Sequence, residues 1–172
     1  NNIQARYNEY LYVFKDLISK LKKLENLKNS IIIITGDIFH HKNQIESSGI
    51  DLFSYIIKQL TDLTEVFIIM GNHDYRQYNV EEQDLISALV KNANYKNLHY
   101  LDKTGIYIIN NLLIGLVAIN DVLEDGDTSG MVEVLPEFPD PNNVDLTNIN
   151  CKVALYHGII IDDENSFFKE KE

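Results

Sequence analysis

The chain of 172 residues holds a single cysteine, Cys151, so no internal disulfide can close and a cysteine-based zinc module is excluded. Cations are scarce: 15 Lys+Arg stand against 26 Asp+Glu, a formal net charge of −11. A broad electrostatic hold on nucleic acid comes from Lys and Arg neutralising phosphates, so this balance argues against one. It leaves room for a local basic groove or a basic partner. Long apolar runs are missing too, the longest, at 112–119, being far short of a bilayer span. Residues 1–6, Asn-Asn-Ile-Gln-Ala-Arg, lack the apolar stretch of a secretory signal, and no Asn-X-Ser/Thr sequon occurs. The expectation is a cytoplasmic or nuclear protein, neither secreted nor membrane-bound. Alanine is reduced to five residues against 23 Ile and 19 Asn, a bias that speaks of AT-rich coding more than of structure.

What is present suits a folded domain. Hydrophobic residues make up 45% and charged residues 24%, ordinary globular composition at a length able to bury a core. Tyr7, Tyr10, Leu11, Phe14, Ile18 and Leu21 recur at helical steps with lysines between them, predicting an amphipathic helix over about 6–28. Ile31–Ile34 and Val66–Met70 are short, continuous and rich in β-branched residues, which predicts strands buried on both faces of a parallel sheet. Helical patterns at Ile50–Leu60 and Leu85–Val90 alternate with them, giving βαβ units. Leu98–Leu101, Tyr107–Ile109, Leu112–Ile119 and Val153–Tyr156 read as further strands, with Asn110-Asn111 as a hairpin turn. The three prolines, Pro136, Pro139 and Pro141, all fall in 121–150, which reads as a long surface loop.

Three loops that follow predicted strands carry metal-competent side chains: Gly36-Asp37-Ile38-Phe39-His40-His41, Gly71-Asn72-His73-Asp74 and His157-Gly158. In open α/β sheets, sites form where loops converge beyond the carboxyl ends of strands. A carboxylate (Asp37), an amide oxygen (Asn72) and an imidazole (His157) suit a borderline-to-hard divalent metal such as Mn, Fe or Zn. Taken singly these pieces are commonplace. Gly-Asp after a strand is often only a turn, and a lone histidine at a strand end usually serves packing. Their weight lies in the combination and its order. His99 lacks such a context and is expected to be a packing or surface residue.

These motifs resemble the second, third and fourth motifs of the calcineurin-like metallophosphoesterases. Phe39-His40 after the Gly-Asp, and the helical segment Arg6–Leu17 with Glu9-Tyr10 and Val13-Phe14, are most similar to the Mre11/SbcD-type DNA repair nucleases. The resemblance implies a metallophosphoesterase-like α/β fold, a β-sandwich flanked by helices. It implies two divalent metal ions, Mn2+ foremost with Fe or Zn as alternatives, and hydrolysis of a phosphodiester by metal-activated water. On that pattern Asp37 bridges both metals while Asn72 and His157 serve the second. His73 contacts the scissile phosphate and assists the leaving group, Asp74 orients its ring, and His40 lies near substrate. DNA as substrate, a homodimer and a Rad50/SbcC-like ATPase partner in the full-length protein are implied in the same way. Two alternatives stand beside the nuclease: a phosphoesterase for small phosphodiesters or phosphoproteins, and an inactive scaffold with a vestigial metal site.

The family pattern also has an Asp-X-His on the first strand and a Gly-His-X-His after the His-Gly strand, and neither occurs here. The expectation is therefore that residues 1–172 are the central part of one such domain, incomplete at both ends, with Asp37 alone remaining for the first metal. Weak binding of a single metal and little or no turnover are expected from this stretch by itself.

Overall fold

Four consecutive isoleucines make the first strand, β1 (Ile31–Ile34), because β-branched side chains favour extended backbone and crowd a helix. The structure, a computed structural model, describes residues 2–39, 46–74, 84–121 and 138–158. Within them β2 (Glu65–Ile69) lies parallel to β1, Ile31 opposite Glu65 and Ile34 opposite Ile68. β3 (Leu98–Leu101) continues the parallel sheet on the far side of β2, with Val66 opposite Leu98. A second sheet is built from β4 (Gly105–Ile109), β5 (Leu112–Val117) and β6 (Cys151–Tyr156), in that order, β4 antiparallel and β6 parallel to β5.

Side-chain alternation along the strands sorts the core into two layers. Val66 and Ile68 of β2, with Ile32 and Ile34 of β1, face the helices α1 (Asn2–Leu21), α2 (Ser47–Thr61) and α3 (Leu85–Ala93). There they meet Ile18, Phe53, Ile56, Ile57, Leu60 and Ile86. Phe67 and Ile69, with Ile31 and Ile33, point the other way and pack on Leu112, Ile114, Leu116 and Leu155 of the second sheet. The architecture is thus helices on a parallel sheet on a mixed sheet: an α/β sandwich flanked by helices, as the motifs lead one to expect. Among the described residues no helix is long and apolar enough to cross a membrane.

Two features depart from the sequence pattern, the end of α1 and the burial of β1. α1 stops at Leu21 rather than near residue 28, and the chain tightens, Lys23 N donating to Lys20 O and Leu24 N to Leu21 O, before a separate 3-10 turn at Leu27–Asn29. Leu24 is 54% exposed, so beyond Leu21 no burial holds a further helical turn. β1 is half-buried along its whole length, not buried on both faces, because it is an edge of its sheet among the described residues; β2, in the middle, is buried at four of five positions. Of the expected loop at 121–150, residues 122–137 lie outside the described ones. Residues 138–150 form a 3-10 turn at Pro141–Asn143, where Asp140 accepts from Asn142 N at 2.9 Å. Asn150 N then donates to Asn111 O at 2.8 Å, leading the chain into β6.

Two local devices were legible. The hairpin turn sits at Asn110-Asn111, with Ile109 opposite Leu112 and Asn110 at φ 54°, a left-handed conformation that Asn tolerates. His99 is a packing residue: it stacks on Phe67 at 4.7 Å between ring centroids, and its Nε2 lies 2.6 Å from Glu65 Oε2.

Candidate metal centre

The loops after β1 and β2 leave neighbouring parallel strands and touch backbone to backbone. A Cβ on Gly36 would overlap the main chain of Gly71 and Met70, and one on Gly71 would overlap the amide and carboxylate of Asp37. Gly36 also has φ +93°, which an L side chain rarely adopts. Asp37 follows at φ 55°, again left-handed, so the chain turns sharply just where the carboxylate emerges. Phe39 fixes the far side of this loop: it is buried, with its ring 5.6 Å from that of Phe53 on α2.

The second loop is a tight turn in which Asp74 N donates to Gly71 O at 3.1 Å, setting Asn72 and His73 at the two central positions. Its tip is half-buried, while Gly71 and Asp74 at its feet are buried. His73 N donates to Asp37 Oδ1 at 3.1 Å, joining the two loops.

The third contributor arrives from the other sheet. His157, directly after β6, places Nδ1 2.6 Å from the carbonyl oxygen of Thr35. A carbonyl only accepts, so Nδ1 carries the proton and Nε2 of the neutral ring keeps its lone pair. That lone pair faces Asn72 Oδ1 at 3.1 Å and Asp37 Oδ1 at 3.4 Å. Two side-chain oxygens thus lie within 3.4 Å of this nitrogen, a donor set that a cation could bridge. The side chains of His157 and Asp37 are 22% and 40% exposed, open enough for an ion and a substrate to reach them. Behind His157 the ring of Tyr156 lies where a Cβ on Gly158 would stand, so the absence of a side chain there lets the tyrosine fold over the backbone.

Asp74 does something the sequence did not suggest. It is wholly buried. Its carboxylate accepts from Ile38 N at 3.1 and 3.3 Å, Phe39 N at 3.1 Å and Gly71 N at 3.1 Å. Burial pushes this carboxyl above the usual aspartate range, while the N–H groups of Phe39, Gly71, Ile38 and Asp37 pull it down. Its hydrogen bonds thus run to main-chain donors on both loops. The sequence expectation for it was the ring of His73.

Of the expected site residues, Asp37, Asn72 and His157 are brought together, and His73 adjoins them on the same turn as Asn72. His40 lies outside the described residues. Thr35 is the contributor that sequence reasoning missed, because it acts through its carbonyl and any residue type offers one.

A family model, calcineurin-like phosphoesterase, matches residues 3–166. The chain belongs to the calcineurin-like phosphoesterase family. Two viral proteins are similar to this phosphoesterase chain. The protein R555 of Acanthamoeba polyphaga mimivirus is 32% identical over 156 residues, 89% of the chain. The protein 244L of Invertebrate iridescent virus 6, named as a phosphoesterase, is 29% identical over 98 residues, 55% of the chain. The matched stretch covers 11% of the first relative and 34% of the second, so the chain spans only a minor part of either.

Members of this phosphoesterase family generally use divalent metals, and the donor set fits one. Two oxygens and a neutral imidazole with its other nitrogen tied to a carbonyl are ordinary ligands for Mn, Fe or Zn. Among the described residues no group of three or more His, Cys, Asp or Glu could hold a metal. The cluster reaches three donors only by counting the Asn72 amide oxygen, a number that would suit one ion.

Proposed function

We propose that the protein hydrolyses phosphodiesters with a divalent metal, as a DNA nuclease of the Mre11/SbcD type. The observation that carries the reading is the meeting of Asp37 Oδ1, Asn72 Oδ1 and His157 Nε2, next to a turn that presents His73. Asp37, Asn72 and His157 would hold the ion. A divalent cation bound there supplies Lewis-acid activation of water and neutralises charge on the phosphoryl oxygens. His73 would hydrogen-bond the scissile phosphate and deliver a proton to the leaving oxygen. The Phe39-His40 pair after the Gly-Asp supports the nuclease branch through its resemblance to that branch's motif. A second divalent ion, the homodimer and the Rad50/SbcC-like partner belong to the same reading and concern the full-length protein. So does the placing of residues 1–172 as the central part of one nuclease domain.

The test uses the full-length protein. DNA should be degraded with Mn2+ and spared with chelator, and His73→Ala should abolish turnover while Mn2+ still binds. An active His73→Ala variant would remove that residue from its role. The net charge of −11 favours one competing reading, a phosphoesterase for small phosphodiesters. Turnover of a chromogenic small diester without any cleavage of DNA would establish it in place of the nuclease.

A further inference from the structure

The two metal-bearing loops exchange carboxylates. Asp37, on the first, caps the His73 N–H of the second at 3.1 Å. Asp74, on the second, accepts the Ile38 and Phe39 N–H groups of the first at 3.1 Å each. The backbone explains why the exchange is specific. Gly36 at φ 93° and Asp37 at φ 55° turn the chain so that successive N–H groups point to one side, a concavity that suits an anion. The buried Asp74 carboxylate fills it. A left-handed conformation is unfavourable for a residue with a side chain, so something outside the loop must hold Asp37 there. The hydrogen bonds to the next two residues, Ile38 and Phe39, are placed to do so. Asp74 also accepts from Gly71 N, which fastens the foot of the turn that presents Asn72.

We propose that Asp74 is a positioning residue for the metal carboxylate Asp37, acting through the main chain of the first loop, and that orienting the His73 ring is not its task. This rests on the metal reading above only for its affinity arm; the main-chain clasp itself does not need a metal. Removing one acceptor face while keeping the shape, as in Asp74→Asn, turns an NH2 group toward backbone donors and lets the first loop relax. Asp37 then leaves its place relative to Asn72 and His157.

Mn2+ titration of full-length wild type, Asp74→Asn and His73→Ala tests the proposal, together with residue-resolved amide exchange. In wild type without metal, the Ile38 and Phe39 amides should exchange slowly although they lie outside any helix or strand. Asp74→Asn should weaken Mn2+ binding ~10–100-fold, the usual effect of losing a group that fixes a ligand, and should speed exchange at both amides. His73→Ala should do neither. Asp84→Ala, a destabilising change at the start of α3, should leave Mn2+ affinity at the wild-type value, which separates positioning from general loss of stability. An Asp74→Asn protein with unchanged affinity and unchanged exchange would overturn the proposal, as would wild-type Ile38 and Phe39 amides exchanging at open-chain rates. Should Asp74→Asn not fold, the wild-type exchange result decides. A wild type that binds no Mn2+ would sink the metal reading, and the clasp would then stand or fall on the exchange rates.

Discussion

Gly71 has space for a hydrogen and no more, because the Asp37 amide and carboxylate occupy the place of its missing Cβ. Neither neighbour is the end of a flexible side chain: one is main chain and the other is pinned by His73 N. Gly71→Ala should therefore push the loops apart, reducing Mn2+ affinity at least ~10-fold and destabilising the fold by about 1–3 kcal/mol, the usual cost of overpacking. Calorimetric titration and urea unfolding check the two effects. At this scale the sequence was informative about side chains and silent about main chain. Asp37, Asn72 and His157 could be picked out because each is a metal-competent type at a strand end. The partners that hold them could not: Thr35 acts through its carbonyl, and Asp74 bonds to N–H groups 35 and 36 residues away, which any sequence supplies.

Strands and helices were legible in proportion to how much of their pattern burial enforces. β2, buried at four of five positions, matches its apolar run to within a residue at each end, whereas α1 ends seven residues before its pattern suggests because Leu24, the next apolar residue, stays exposed. Edges are invisible for a related reason: Ile31–Ile34 is as apolar as a central strand, and only pairing shows that one side lies open among the described residues. Two elements depend on single residues at their ends. Asp84 caps α3, accepting from Ser87 N at 2.7 Å and from the Ser87 hydroxyl at 2.6 Å. Asp84→Ala should cost about 1 kcal/mol by urea unfolding, and a helix of nine residues has few other bonds with which to make up the loss. The β4–β5 hairpin turns on Asn110 at φ 54°. Asn110→Val puts a β-branched side chain where the backbone is left-handed and should destabilise by about 1–2 kcal/mol in the same assay, while Asn110→Gly should be close to neutral.

At the scale of the molecule the two sheets, packed face to face through Phe67, Ile69, Ile114 and Leu116, are also linked at the site by His157 after the mixed sheet, which bonds Thr35 beyond the parallel sheet and faces Asn72 and Asp37. The site is thus a property of the sandwich, not of either sheet. The chain as a whole carries a net charge of −11, which opposes a polyanion but hardly matters to a small diester bearing one charge. The consequence differs between the two substrate readings. If DNA is the substrate, approach depends on the few local cations and on the bound metal, each phosphate contact releasing counterions. kcat/KM on DNA should then fall steeply as salt rises from about 50 to about 200 mM, by at least ~10-fold for only two or three phosphate contacts. Turnover of a chromogenic diester should change less than about twofold over that range, since neither the three proposed metal ligands nor His73 requires a long-range field. Parallel steady-state rates at fixed Mn2+ on both substrates make the comparison. Equal salt profiles would mean that DNA makes no contacts beyond the scissile phosphate, and the nuclease reading would lose its substrate.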